Sequence, residues 1–400
     1  MLAHSPPLPL TINYNDQDIT AEDELGILLA LSHRDRVRRI GLWELLNVGK
    51  FVTAMDDQFP ILERMYVRSQ TEVALPVTFQ APNLRRLRLW MASIPNLSPL
   101  LTNTAGLVTL SLLDIPTSAY FPPSYILTRL SLMAQLEKLF ISFQSPIPNG
   151  DVERQSCQTP DTITLPNLRW FVFNGVSAYL ERLVAWISAP SLNIFQVDLF
   201  NQPSFSVPHL WRFMQTSENL TLSAVQVTFG APSVSLHTVP GKWDCPLLLQ
   251  IGCRHLDEQV ASAVQFFGTL SPVLSVVEQV TFSYEEHKQS SESHNNVDRI
   301  QWRELLRPFT NAKAIHVQDD LVRKIFRSLP SDDGEPPLEL LPNLEEVGYS
   351  GGSDAQDAFT TFLNERQEAG YPVSLRLVDR SLFDIPGDLY QRMAAAEVSG

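Results

Sequence analysis

Pro82-Asn83-Leu84-Arg85-Arg86-Leu87-Arg88-Leu89-Trp90 puts leucines at the first, fourth and sixth positions of a frame that opens at Leu84. Leu87 and Leu89 are two residues apart, so they point to one side of an extended strand, and Arg86, Arg88 and Trp90 point to the other. Upstream the frame stands at Val37-Ile40-Leu42 and Leu62-Met65-Val67. Downstream it recurs at Leu107-Leu110-Leu112, Leu136-Leu139-Ile141, Leu168-Phe171-Phe173, Leu192-Phe195-Val197, Leu222-Val225-Val227, Val277-Val280-Phe282, Ala312-Ile315-Val317 and Leu344-Val347-Tyr349. Pro60, Pro82, Pro166, Pro190 and Pro342 each stand two residues ahead of a first anchor, where a missing N–H costs no ladder bond.

Successive first anchors lie 25, 22, 23, 29, 32, 24, 30, 55, 35 and 32 residues apart. Leu247-Leu248-Leu249-Gln250-Ile251 fills the long gap as a degenerate copy, which makes about a dozen irregular repeats. Between the strands, apolar residues fall at helical spacing: Leu45, Leu46, Phe51, Val52 and Met55; Leu180, Leu183, Val184 and Ile187; Leu210, Phe213 and Met214; Val260, Val264 and Phe267; Ile300, Leu305 and Leu306; Phe359, Phe362 and Leu363. A strand followed by a helical return gives right-handed parallel crossovers, and stacked copies bury each other's apolar faces. The expectation is an α/β fold, an irregular leucine-rich-repeat-like solenoid (horseshoe) with one curved parallel sheet on the concave side and helices on the convex side. A lead-in over residues 1–33, one repeat domain over 34–380 and a tail over 381–400 follow. The polar stretches Asp151 to Asp161 and Tyr284 to Val297 read as surface insertions.

The repeats resemble leucine-rich repeats of the irregular kind, and the chain resembles the region after the F-box in the fungal F-box protein family. The resemblance rests on Leu2-Ala3-His4-Ser5-Pro6-Pro7-Leu8-Pro9-Leu10, Asp35-Arg36-Val37-Arg38-Arg39-Ile40 and Met55-Asp56-Asp57-Gln58-Phe59-Pro60-Ile61-Leu62-Glu63, with Pro82-Asn83-Leu84 and Pro166-Asn167-Leu168 in support. It implies a substrate-selecting role in an SCF ubiquitin ligase. The F-box that docks the Skp adaptor would lie before Met1, so adaptor binding is expected only with an upstream F-box; the alternatives are an F-box-less interaction protein with no ubiquitin-ligase role and an enzyme of unrecognised type. The chain departs from leucine-rich repeats where an asparagine is usual three residues past the third anchor, since Ala92, Ile115 and Val176 stand there.

With 44% hydrophobic and 18% charged residues the chain can build a core and is too sparsely charged to be disordered. Its net charge of −14 argues against a general nucleic-acid binder. Cys157, Cys245 and Cys253 are too few for a disulfide framework, and no signal peptide is legible, so a cytoplasmic or nuclear monomer is expected. Leu89 to Leu113 carries no charge, but Pro95, Pro99 and Gly106 argue against a membrane helix.

No phosphate loop, dinucleotide fingerprint, zincin helix or nucleophile elbow occurs, so neither a catalytic residue nor a cofactor is assigned and the protein is read as a non-enzyme. Cys245, Cys253 and His255, with His237 upstream, lack the short spacings of zinc knuckles, and no metal is expected. Glu285-Glu286-His287, near Ser290 and His294, reads as a solvated loop. Gly351-Gly352-Ser353 reads as a strand-to-helix turn with Ser353 or Asp354 as N-cap.

The third, fifth and seventh frame positions therefore remain, the side of the sheet away from the anchors. Early repeats place Arg39, Trp43, Arg64, Tyr66, Arg86, Arg88, Trp90, Lys138 and Trp170 there, whereas residues 331–400 hold 14 acidic and 4 basic side chains. Arginine with tryptophan and tyrosine is the composition of interface hot spots, which points to a protein or acidic peptide as partner. Arginine stems stacking on neighbouring aromatics account for the same composition without a ligand.

Overall fold

Nine of the framed repeats open with a β-turn. The N–H of the first anchor donates to the carbonyl three residues back, Leu62 to Phe59, Leu84 to Ala81, Leu107 to Thr104, Leu136 to Met133, Leu168 to Leu165, Leu192 to Ala189, Val277 to Leu274, Ala312 to Phe309 and Leu344 to Leu341, at 3.0–3.3 Å. The proline two residues ahead of the anchor is the second residue of that turn, where its fixed φ is already correct. One residue past the anchor, a carbonyl takes two N–H groups from the next repeat: Glu63 from Arg85 and Arg86 at 2.9 and 3.0 Å, Glu278 from Lys313 and Ala314 at 2.7 and 3.1 Å. The strand ladder begins at that point.

The structure, a computed structural model, describes residues 8–45, 48–93, 99–146, 162–217, 219–230, 232–239, 246–284, 297–329, 340–350 and 356–383. The chain divides into two compact units, one of residues 1–200 and 207–220, the other of residues 201–206 and 221–400. Both combine mostly parallel sheet with helices.

In the first unit the strands are β1 (Leu10–Asn15), β2 (Val37–Leu45), β3 (Arg64–Ala74), β4 (Arg86–Ser93), β5 (Thr109–Ile115), β6 (Lys138–Phe143), β7 (Ile163–Thr164), β8 (Trp170–Gly175), β9 (Ile187–Ser188) and β10 (Ile194–Leu199). All but β7 and β9 form one parallel sheet in chain order. β7 and β9 pair separately. The returns carry α1 (Ala21–Ser32), α2 (Gly49–Thr53), α3 (Pro99–Thr102), α4 (Pro123–Leu130), α5 (Ser177–Val184) and α6 (Leu210–Gln215). Leu87, Leu110, Leu139, Phe171 and Phe195 are fully buried, as the frame requires. Three details differ from the sequence pattern. Residues 10–32 of the expected lead-in supply β1 and α1, Leu45 ends β2 instead of opening a helix, and Ile187 lies in β9.

In the second unit β11 (Ala224–Gly230) is followed by β12 (Ser233–Thr238), β13 (Leu247–Gly252), β14 (Gln279–Tyr284), β15 (Ala314–Val317), β16 (Glu346–Tyr349) and β17 (Ser374–Leu377). β11, β14, β15, β16 and β17 run parallel. The expectation of one wholly parallel sheet is corrected here: β12 pairs antiparallel with both β11 and β13. The two-residue link between Gly230 and Ser233 cannot make a parallel crossover, which needs about a dozen residues. Leu247–Ile251 is thus a strand, but it reaches the sheet through a hairpin. The returns are α7 (Leu256–Thr269), α8 (Ser271–Leu274), α9 (Arg299–Leu306), α10 (Asp319–Phe326) and α11 (Gln356–Glu368), and β17 leads into a 3₁₀ turn, Arg380–Phe383.

The Pro-Asn-Leu signature explains the missing asparagine ladder. Asn83 Nδ2 donates to Pro60 O at 2.6 Å, Asn167 Nδ2 to Ala134 O at 2.9 Å and Asn343 Nδ2 to Thr310 O at 3.2 Å. Each acceptor stands two residues ahead of the preceding repeat's first anchor. Asparagine therefore links neighbouring repeats from the turn before the strand, instead of from the turn after it.

Candidate docking face

Strand register lines the candidate residues into rows. Arg39 of β2, Arg64 of β3 and Arg86 of β4 are direct partners on adjacent strands, and the row continues through Thr109 to Lys138 and Trp170. Adjacent strands are about 4.8 Å apart, so three guanidinium-bearing residues stand shoulder to shoulder. Arg64 is held below the ordinary arginine value first by burial and then by the like charges of Arg86 and Arg39. Among the described residues no carboxylate forms an ion pair with Arg39 or Arg86.

Two residues further along, Tyr66 pairs with Gly41 on β2 and with Arg88 on β4. Trp43 stacks on Tyr66 with centroids 5.7 Å apart and planes at 24°. The Trp43 indole needs a bare backbone beneath it, because a Cβ on Gly41 would meet Trp43 Nε1 at 3.2 Å and Asn13 Oδ1 at 2.8 Å. In the last row Arg68 lies over the Trp90 ring at 4.4 Å. Lys138 lies over Trp170 at 4.5 Å, with Phe140 tilted against the same indole at 6.4 Å.

The structure thus brings Arg39, Trp43, Arg64, Tyr66, Arg86 and Trp90 together on three adjacent strands. Lys138 and Trp170 form a second patch beyond β5, whose Thr109 and Ser111 carry neither charge nor ring. Arg88 is 9% exposed, whereas Arg39 is exposed and Arg64, Arg68 and Arg86 are half-buried. Arg68 completes the cation–aromatic set. It was legible at the seventh position of its frame, one place beyond Tyr66.

No protein-family model and no curated protein matches this chain.

Buried ionisable groups elsewhere are occupied in holding elements together. Glu181, whose carboxyl is pushed up chiefly by burial, accepts the N–H groups of His209 and Leu210 at 2.8 Å and caps α6. Arg303 Nη1 donates to Ser328 O at 3.1 Å, and Arg366 reaches Leu341 O and Leu344 O at 3.1 and 3.0 Å. Cys253 is buried, its thiol pushed up to about 11 by burial, and it donates to Ile251 O at 3.4 Å. His237 is pulled down to about 4 by burial. Among the described residues no three His, Cys, Asp or Glu side chains gather as a metal site. No helix among them is long and apolar enough to cross a membrane. Cys157, Cys245, Glu285-Glu286-His287 and Gly351-Gly352-Ser353 lie outside the described residues.

Proposed function

We propose that this protein is a non-catalytic interaction scaffold, built as an irregular leucine-rich-repeat-like solenoid, that receives an acidic segment of a protein partner on the Arg39–Arg64–Arg86 face. The observation that carries the reading is the like-charged row. Three arginines aligned across adjacent strands repel one another, and an anionic partner relieves that repulsion while the Trp43–Tyr66 stack offers flat apolar area. Resemblance of the opening block and the Pro-Asn-Leu repeats to fungal F-box proteins supports substrate selection for an SCF ubiquitin ligase as the setting of that role. The Skp adaptor would then dock on an F-box supplied upstream, and residues 1–400 alone would not hold it.

Affinity capture from the native cell tests both parts. Partners should be retained by the wild-type chain and lost, with a flattened salt dependence, by the Arg39→Ala/Arg86→Ala double variant. Capture indifferent to that change but abolished by charge reversal within residues 331–400 would put the docking face in the second unit. Direct, saturable binding of purified Skp adaptor to residues 1–400 would overturn the assignment of adaptor docking to an upstream module.

A further inference from the structure

On the second unit, the sheet side opposite the anchors carries Gln226 and Thr228 on β11, Thr281 and Ser283 on β14, and His316 on β15. These polar side chains are only 1–7% exposed. Flanking side chains alone reach that degree at Ser111 and Ser142 of the first unit, 1% and 4% exposed, but this face has a cover as well. Part of the cover is the chain itself. After β17, the edge strand, the 3₁₀ turn Arg380–Phe383 returns past β16 and β15 and packs against β14. Gln226 Nε2 donates to Phe383 O at 3.3 Å and to Ser283 Oγ at 2.9 Å, and Ser283 Oγ bonds Thr228 Oγ1 at 2.8 Å. Phe383 is buried, and Arg380 Nη2 reaches Asp319 Oδ2 at 2.9 Å.

We propose that this face of the second unit is a peptide-binding site, filled in cis by Arg380-Ser381-Leu382-Phe383 as a pseudo-ligand, and that its external ligand is a short peptide with arginine three residues before an aromatic. The contacts divide as in peptide recognition. The Gln226 amide reads a main-chain carbonyl, which any sequence supplies, while the Phe383 position and the Asp319 carboxylate read side chains. The cis occupant also leaves capacity unused. Asp319 Oδ1 is buried and accepts no hydrogen bond, and the Arg380 side chain is 82% exposed. An untethered peptide can bring a guanidinium onto both carboxylate oxygens, the stronger bidentate arrangement. A tethered segment competes through its effective concentration, so the site is closed until a better ligand displaces the turn. The site rests on the second unit alone and does not depend on the arginine row.

The experiment uses the full chain and a fluorescent peptide of residues 377–383, read by polarisation. The Arg380→Ala/Phe383→Ala variant should bind the peptide on the order of tenfold more tightly than wild type, since the tethered competitor is removed. Adding Asp319→Asn should abolish that gain. A folded double variant that binds no better than wild type overturns the proposal, as does a gain indifferent to Asp319→Asn. If the double variant does not fold, Arg380→Glu decides, because its exposed side chain leaves the core intact. An increase of about threefold in peptide affinity supports the site, in line with partial loss of the cis contact, and no change overturns it.

Discussion

The two units use one frame and fill its outer side with opposite chemistry. At the third frame position the first unit has Arg39, Arg64, Arg86, Thr109, Lys138, Trp170 and Ile194, and the second has Ala224, Gln279, Ala314 and Glu346. Neighbours in the second unit complete one another. Gln279 Nε2 stands 3.2 Å from His316 Nδ1, His316 Nε2 3.4 Å from Glu346 Oε1, and Arg376 4.0 Å from the same oxygen. The His316 ring is settled there by a bare backbone, since a Cβ on Gly348 would lie 2.3 Å from its Cδ2. In the first unit like charges stand in line, which costs stability, and Glu63 offsets part of the repulsion at Arg39 and Arg64. A face whose polar groups satisfy one another, or its own chain, answers to the fold. A face of aligned like charges is the one on which the proposed docking rests.

The sharpest test of this comparison separates what the units share from what they do not. Anchors are shared, so truncating them should be costly in both. Phe171→Ala in the first unit should lose about 3–5 kcal/mol, because Phe171 is fully buried and packs on Phe195 at 5.5 Å and on Phe213 at 6.1 Å. Phe282→Ala in the second unit should fall in the same range, its ring being fully buried against Phe309. Denaturant unfolding measures both. A loss under about 0.5 kcal/mol at either site would show that the frame does not set the core there.

Acidification should pull the units in opposite directions. Burial pulls His237 of the second unit down to about 4, so it stays neutral in the fold while the unfolded chain takes up a proton below about 6.5. Its stabilising contribution is present above pH 6.5 and is lost as pH falls towards 4, by up to about 3 kcal/mol. Burial pushes Asp198 of the first unit up to about 6, against the Asn174 hydrogen bond that favours the carboxylate. The fold keeps that proton, so stability from Asp198 is full below about pH 4 and is lost as pH rises through 6. Asp198→Asn should then raise stability at pH 7 by about 1–2 kcal/mol and remove the slope between pH 4 and 6, and His237→Gln should flatten the loss on the acid side. Melting across pH 4 to 7.5 measures each. Variants that keep the wild-type slopes would show that these groups are not the ones titrating.

Much of this was legible because a strand frame reports both of its sides at once. Leu87 and Leu89 fixed where the core lies, and the same spacing fixed Arg86 and Trp90 on the other side, so the arginine row could be read before any register was known. The hairpin at β12 was not legible in the same way. Ser233-Val234-Ser235-Leu236-His237 alternates as a strand should, but it lacks the frame's lead-in, and direction is set by the short link after Gly230. Nor could burial of Arg88 be read, since neighbouring side chains from other strands decide it. The return of Arg380–Phe383 over β14 was hidden for a further reason: four residues in a tail carry no periodicity, and their role depends on Gln226, 157 positions away.

The asparagine links should be shared by the units and cost less than the anchors. Asn83→Ala and Asn167→Ala in the first unit and Asn343→Ala in the second each remove a hydrogen bond to the preceding repeat, worth about 1 kcal/mol. Asn343 also reaches Asn311 Oδ1 at 3.1 Å, so its loss should sit at the upper end of the range. Asp at the same positions keeps the size and the turn preference but removes the donor, and should cost no less than alanine if the link is what matters. Recovery of wild-type stability with Asp would assign the residue's value to the turn alone.

The smallest effects are expected on the outer charges one residue past each first anchor. Arg38 Nε meets Glu63 Oε2 at 3.0 Å in the first unit, and Lys313 Nζ meets Glu278 Oε1 at 3.0 Å in the second. Signs alternate at this position within two runs of three consecutive repeats, Arg38, Glu63 and Arg85, and Glu278, Lys313 and Glu345. A slip of one repeat against its neighbour would move these charges out of opposition, so the alternation favours the native register in both units. All four paired side chains are a third or more exposed, and ion pairs open to water to that degree contribute little. Arg38→Ala and Lys313→Ala should therefore each cost less than any of the asparagine changes. Exchanging the partners, Arg38→Glu with Glu63→Arg, tests alternation in a different way, because the swap restores the pair but sets the introduced guanidinium beside Arg85. If alternation along the row matters, the swapped first unit should melt slightly below wild type at low salt, and the gap should close as salt screens it. In the second unit, Glu278→Lys with Lys313→Glu sets the introduced carboxylate beside Glu345 and should behave alike. A swap equal to wild type at low salt would reduce the row to isolated pairs.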